Sequence, residues 1–323
     1  MARFLVTGGT GYIGAHVVRQ LLSDGAEVIA VDDVATGYVD RIAEVPLHRM
    51  DLADDGSVDA VRRIVSDFGP DTVIHFAARK QVGESVERPA WYYRQNVGGL
   101  ANLLAAIEDT SVQDFVFSSS AAVYGDAQGP TIVEDDPTVP VSPYGDTKLF
   151  GEVLVKRVAR QTGLRTTALR YFNVAGCTEP VLGDRAVLNL IPMVFERLDA
   201  GSAPLIFGDD YPTRDGTCVR DFIHVEDLAR AHIDVARWMT DQPPATNETF
   251  NVGTGLGTSV REVVDCILEV SGSALVPEIV GRRAGDPASV VASVDKIGKL
   301  LGWHATHSLR DMVESAWHAH CST

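Results

Sequence analysis

Three glycines at a fixed spacing constrain this chain more than any other feature. Thr7-Gly-Gly-Thr-Gly-Tyr-Ile-Gly14 follows the apolar run Arg3–Thr7 and leads into residues 12–24, where Ile13, Val17, Val18, Leu21 and Leu22 share one helical face. Gly25 closes that helix, and residues 27–31 (EVIAV) read as a second buried strand. Strand, glycine turn, helix, second strand and then Asp32 is the order of a dinucleotide-binding unit. Glycine lets the backbone turn tightly and approach a pyrophosphate, while the helix start offers unpaired N–H groups and a positive dipole end. Gly8, Gly11, Tyr12, Ile13 and Gly14 are therefore cofactor-site candidates. Asp32 can accept both hydroxyls of an adenosine ribose and would repel the extra phosphate of NADP, with Asp33 adding to the repulsion, so the expected cofactor is NAD. Asp51, just past the expected third strand, reads either as the holder of the adenine amino group or as a helix cap.

The alternation continues with helix 58–68, strand 72–75, helix 100–108, strand 115–118, helix 142–162 and strand 166–170. Apolar strands alternating with helices imply a parallel sheet covered on both faces, an α/β fold of the Rossmann-type, doubly wound class. After Gly176 the rhythm breaks at Pro192, Pro204, Gly208 and Pro212. Residues 1–176 are thus expected to form an NAD-binding domain and 177–323 a smaller α/β substrate-binding domain, with 222–250 returning to the first. Ser259-Val-Arg-Glu262 is a capping box that opens another helix.

Forty-four acidic residues against 28 basic ones leave a formal charge of -16, spread without acidic blocks, which argues against general affinity for nucleic acid or anionic membrane. A phosphate-bearing ligand must therefore meet local arginines and backbone N–H groups. Cys177, Cys218, Cys266 and Cys321 have neither metal-knuckle pairing nor the density of a disulfide scaffold. His75, His224 and His232 show no metal-ligand spacing with them, so no metal is expected. The chain runs from Met-Ala-Arg straight into a strand, and no stretch approaches the roughly 20 apolar residues of a membrane span. The expectation is a soluble cytoplasmic protein.

Tyr144 and Lys148 are four residues apart on the expected helix 142–162, one turn apart on one face. Such a pair gives a base. Moving a phenol about three pH units toward neutrality requires roughly 4 kcal/mol of preference for the phenolate. One ammonium at about 6 Å supplies roughly 3 kcal/mol at an effective dielectric of about 20, and the positive nicotinamide ring can supply the remainder. The serines of Ser118-Ser-Ser-Ala-Ala-Val-Tyr-Gly125 lie at the C-terminal end of a strand, where open parallel sheets bind ligands. From there Ser120 could relay a hydrogen bond between a substrate hydroxyl and Tyr144.

The chain resembles the extended short-chain dehydrogenase/reductases, most specifically their UDP-galactose 4-epimerase branch. The resemblance is carried over nearly the whole length by Thr7 to Gly14, His75-Phe-Ala-Ala-Arg-Lys80, Val82-Gly-Glu-Ser85, Ser118 to Gly125, Ser142-Pro-Tyr-Gly-Asp-Thr-Lys148, Arg170-Tyr-Phe-Asn173 and the long motif from Tyr211 to Val225. It implies Tyr144 as base, Lys148 as its partner, Ser120 as relay and Lys80 as a cofactor contact. It also implies Leu52, Phe76, Ala77, Asn96 and Tyr171 along the cofactor. Asn173, Arg220, Arg283 and Asp286 would hold a UDP moiety, and Phe207 would contact uracil. Arg282 reads as surface charge. A UDP-hexose substrate and a homodimer built on helices near 91–107 and 145–162 are likewise implied. A 4,6-dehydratase of the same family needs acidic groups after the serine, where this chain has Ala121 and Ala122. Val290 stands where the family commonly has tyrosine or a smaller residue, which leaves space for an N-acetylated sugar; simple core packing is the competing reading. Gly98 and Leu100 also depart from the family pattern.

Overall fold

In the computed structural model, residues 1–126, 129–283 and 285–322 are described. In chain order the elements are β1 (Arg3–Thr7), α1 (Tyr12–Ser23), β2 (Glu27–Asp32), β3 (Leu47–Arg49), α2 (Ser57–Phe68), β4 (Thr72–His75), α3 (Val82–Glu87), α4 (Pro89–Tyr92), α5 (Gly99–Ile107), β5 (Asp114–Ser118), α6 (Pro143–Thr162) and β6 (Arg165–Tyr171). Then follow β7 (Asn173–Ala175), α7 (Leu190–Asp199), β8 (Leu205–Phe207), β9 (Val219–His224), α8 (Val225–Thr240), β10 (Asn247–Val252), β11 (Gly257–Ser259), α9 (Val260–Ser271), β12 (Glu278–Val280), β13 (Ser289–Val290), α10 (Asp295–Leu301) and α11 (Leu309–Cys321).

The chain divides into two compact units, the first from Met1–Asp126, Asp136–Tyr171 and Ala229–Phe250, the second from the remaining described residues. The first unit carries a sheet in the order β10-β6-β5-β4-β1-β2-β3. From β6 to β3 every pairing is parallel. Its strands are buried along nearly their full length, as the continuous apolar runs require. On one face Leu5, Ile29, Val73, Phe115 and Phe117 pack with Leu100, Leu103 and Leu104 of α5 and Val155 of α6. The strand order reverses between β1 and β4, the switch point at which open sheets bind ligands.

The second unit is assembled from shorter pieces. Strand β9 pairs with β7 and β13 in parallel and with β11 antiparallel, while β8 and β12 form a separate pair. Its core joins Ile191, Val194 and Phe195 of α7 to Val263, Val264 and Ile267 of α9 and Met312 and Val313 of α11. Of the stretch expected to return to the first sheet, β9 belongs instead to this second sheet, because its edges are occupied by β7, β11 and β13; the strand beside β6 is β10. The expected capping box is present, with the Ser259 side chain accepting from the Glu262 N–H and the Glu262 carboxylate from that of Ser259. No helix among the described residues is long and apolar enough to cross a membrane.

The helix expected near 91–107 is not continuous. Between α4 and α5, Tyr93–Gly98 forms a π-helical turn. An i→i+5 turn holds one residue more than α geometry allows and changes which side chains face the sheet, a feature that apolar periodicity does not reveal.

Candidate active site

Gly8 adopts a φ of +73°, and a Cβ there would lie 2.6 Å from the Ala77 nitrogen on the loop after β4. A Cβ on Gly14 would meet the Gly8 carbonyl oxygen at 2.2 Å, so α1 can begin this close to the loop only without a side chain. Gly11 is the N-cap of α1, without a side-chain cap bond and without an acid in the first turn. The leading N–H groups therefore point from a bare helix start, suited to an anion. Asp32 is buried; its Oδ2 accepts from the Thr10 N–H at 2.9 Å and its Oδ1 from the Val34 N–H at 2.7 Å, which fixes a carboxylate with lone pairs to spare. These residues fit the adenosine and pyrophosphate of a dinucleotide.

Asp33 differs from its expected role. Its carboxylate pairs with the Arg79 guanidinium, so its charge is offset and exclusion of a 2′-phosphate falls mainly to Asp32. Asp51 Oδ1 accepts from the Ala53 N–H at 2.8 Å, a local turn, and its Oδ2 accepts from Gln95 at 2.8 Å. Leu52 is buried beside it, and Tyr12 is buried at the start of α1. Asn96 braces the chain: its Oδ1 accepts from the Arg79 N–H at 2.7 Å, and its Nδ2 donates to the Arg79 carbonyl and the Thr147 hydroxyl, each at 2.9 Å. Lys80, next along, is exposed. The half-buried Phe76 ring lies 4.7 Å from that of His232, and the Tyr171 hydroxyl shares a short hydrogen bond with Ser118.

Ser142 caps α6, accepting from the Gly145 N–H at 3.1 Å, and Pro143 follows at the first helical position. A Cβ on Gly145 would lie 2.7 Å from the Ala122 carbonyl, so the helix start presses against the turn that carries Ser120. This packing brings Tyr144 and Lys148 to the end of β5. Both are buried, at 9% and 4% exposure. The Lys148 Nζ donates to the Ser118 carbonyl at 2.8 Å and lies 5.9 Å from the Tyr144 ring centre. Ser120 is hydrogen-bonded to the Tyr144 hydroxyl and accepts from the Ala122 N–H at 3.2 Å.

Burial raises the Tyr144 phenol above its ordinary value, against the lowering effect of the Ser120 bond. Burial also pulls the Lys148 ammonium down to about 8, opposed by the Glu152 carboxylate. Burial thus opposes the attraction on which the expected arithmetic, with its ammonium and positive nicotinamide ring, rests. His75, beneath the site, is lowered to about 3 by burial and then by Lys148, so it stays neutral while its Nδ1 shares a 2.6 Å bond with the Thr7 hydroxyl. A buried network that sequence reasoning missed supports the same end of β5. Glu152 accepts from Ser119 at 2.5 Å and from Arg170 at 2.8 and 2.6 Å, and Arg170 donates to the Tyr124 hydroxyl at 2.9 Å.

In the second unit Arg220 donates to Asp286 at 3.0 Å, and Val290 stands in register with Arg220 on the neighbouring strand. The exposed Asn173 pairs with Phe222 of the same β9. The Arg283 guanidinium lies 3.9 Å from the centre of the Phe207 ring. Arg282 bonds Asp210 at 2.6 Å and covers the Tyr211 ring at 4.1 Å, as a surface charge with a local partner. A flat aromatic ring beside forked cations suits a base and its phosphates.

His224, Glu226 and His307 bring possible metal-ligand atoms within 4.8 Å of one another, a cluster that a search for histidine–cysteine spacing could not find. The His224 Nδ1 accepts from the Glu226 N–H at 3.1 Å, its Nε2 faces the Ser315 hydroxyl at 3.1 Å, and His307 contacts Glu226 and Asp227 at 3.3 and 3.0 Å. Hydrogen bonds thus account for both His224 ring nitrogens, while the His307 ring faces two carboxylates.

A glycine-turn dinucleotide site and a Ser/Tyr/Lys group at the end of a parallel strand define an NAD-dependent enzyme that works on a hydroxyl group. The chain belongs to the NAD dependent epimerase/dehydratase family, whose signature matches residues 4–253. It is 42% identical over 321 residues to a UDP-glucose 4-epimerase of Halalkalibacterium halodurans, covering 98% of this chain and 95% of that one. A crystal structure of UDP-glucose-4-epimerase from Stenotrophomonas maltophila, with bound NAD and formylated UDP-arabinopyranose, superposes with a TM-score of 0.94 at 36% identity, covering 100% of this chain and 98% of that one. The enzyme from Bifidobacterium longum, in complex with NAD+ and UDP, gives a TM-score of 0.90 at 35% identity, covering 100% and 99%.

Proposed function

We propose that this protein interconverts UDP-glucose and UDP-galactose by transient oxidation at carbon 4 of the hexose, with Tyr144, Ser120 and Lys148 as the proton-handling group. The observation that carries this reading is the buried Tyr144 held on Ser120 and one helical turn from Lys148, at the sheet end served by the glycine loop. Gly8, Gly11, Gly14 and Asp32 would hold NAD, which when bound supplies a hydride acceptor and a positive ring. Tyr144 takes the proton of the 4-hydroxyl through Ser120 and later returns it. Lys148 keeps the phenolate favourable and is itself anchored on the Ser118 carbonyl. Arg220, Arg283 and Asn173 would grip the UDP moiety, with Asp286 orienting Arg220 and the Phe207 face receiving uracil. Holding the nucleotide and not the sugar would leave the 4-keto sugar free to turn, so that hydride returns to its opposite face.

Purified protein given UDP-galactose should release UDP-glucose without net formation of NADH. Protein that holds NAD and leaves the sugar unchanged would instead be a silent NAD binder, and the proposal would fail. The short Val290 side chain beside Arg220 supports a second reading, acceptance of N-acetylated UDP-hexoses, which turnover of UDP-GlcNAc tests. Phe150 and Val153, 51% and 47% exposed on α6, support a homodimer through that helix; sedimentation at micromolar concentration would show a monomer if this is wrong. Four free cysteines fit a cytoplasmic location.

A further inference from the structure

The glycine loop begins at the end of β1, which lies between β4 and β2 in the sheet. Arg79 sits on the loop after β4 and Asp33 directly after β2, so their ion pair crosses the end of β1, a span of about 10 Å at two strand spacings. The side chains are 16% and 26% exposed. Three further contacts hold Arg79 in place. Gln95 Oε1 accepts from its Nε at 3.1 Å and its Nη2 at 2.9 Å, both its backbone groups are bonded to Asn96, and its guanidinium lies 5.3 Å from the Trp91 ring centre. Gln95 also donates to Asp51, after β3, so a continuous chain from Asp33 through Arg79 and Gln95 to Asp51 borders the C-terminal ends of β4, β1, β2 and β3. None of these side chains takes part in the proton chemistry of Tyr144. An isolated surface ion pair contributes little, because ordering two long side chains offsets the attraction; here the guanidinium is already ordered by the π-helical turn.

We propose that Arg79 and Asp33 form a strap that retains the dinucleotide, with Gln95 and Asn96 as the residues that position it. The inference rests on the seating of NAD at Gly8 to Gly14. A strap of this kind suits a reaction that returns its hydride to the cofactor that took it, since the dinucleotide has no need to leave between turnovers.

The test is the rate at which NAD leaves the loaded enzyme, followed after dilution into an excess of an NAD-consuming dehydrogenase. Arg79→Met and Asp33→Asn should each release NAD about tenfold faster than the unaltered protein, and the double variant no faster than the faster single one. Arg79→Lys, which keeps a charge but not the fork, should fall between, and unfolding midpoints of the apoproteins separate faster release from a damaged fold. An unchanged rate in Asp33→Asn overturns the strap, as do single effects that multiply in the double variant, because Arg79 would then act on the cofactor by itself. Gly14→Val tests the seating separately. If that variant keeps NAD as well as the unaltered protein, the placement at the glycine loop fails whatever the strap does.

Discussion

Tyr144 and Lys148 stand on a 20-residue helix and reach a fully buried strand, with their polar atoms bonded to Ser120 and Ser118. The side chains proposed to hold UDP come from strands of six residues or fewer or from the loop that carries Arg283, and of them Asn173 and Arg283 lie open to solvent. The contrast follows from what each group must do. Proton transfer at a shifted pKa needs a dry, fixed surrounding, because desolvation and a single charge decide the outcome. Gripping a nucleotide needs forked cations that can adapt, a role proposed for the exposed Arg283 and the half-buried Arg220.

The contrast is sharpened by variants on each side. Tyr144→Phe should lower kcat by about a thousandfold or more while NAD stays bound, measured by steady-state epimerisation and by retained cofactor. Arg220→Met should raise KM on the order of 10- to 100-fold with kcat little changed, because a charge-assisted donor is lost and Asp286 is left unpaired. An equal loss of kcat there would break the division between chemistry and grip. Val290→Tyr should lower turnover of UDP-GlcNAc relative to UDP-glucose by about tenfold, the scale of a filled pocket. The smallest effect concerns pH. Lys148, pulled down to about 8, loses its charge as pH rises through that value, so kcat/KM should fall on the alkaline side. The Glu152 carboxylate supports that charge, so Glu152→Gln should move the alkaline limb to lower pH.

Much of the first unit was legible in the amino-acid sequence because its signals are local. The glycine turn, the buried strands and the i,i+4 Tyr144–Lys148 pair each sit within one short window. The three-residue strands β7, β8, β11 and β12 have no period to read, and β9 was assigned to the wrong sheet because a strand's neighbours are not written in its own residues. Arg79 looked like part of a motif and Asp33 like an added repulsion; only the sheet order brings them together. The burial that raises the Tyr144 phenol was not legible for a related reason, since attraction can be estimated from spacing, whereas burial is a property of the whole fold.

The π-helical turn at Tyr93–Gly98 has a consequence for how this segment tolerates change in length. Excising one residue there would let the backbone relax into an ordinary α-helix, a locally more favourable form, and would leave the flanking segments near their present register, because the π-helical turn holds the extra residue locally. Within the turn itself, Gln95 and Asn96 would be displaced from the positions in which they meet Arg79. A deletion that improves the helix as a helix is thus expected to loosen the border of the cofactor groove, whereas point substitutions on the outer surface of the same turn leave it intact.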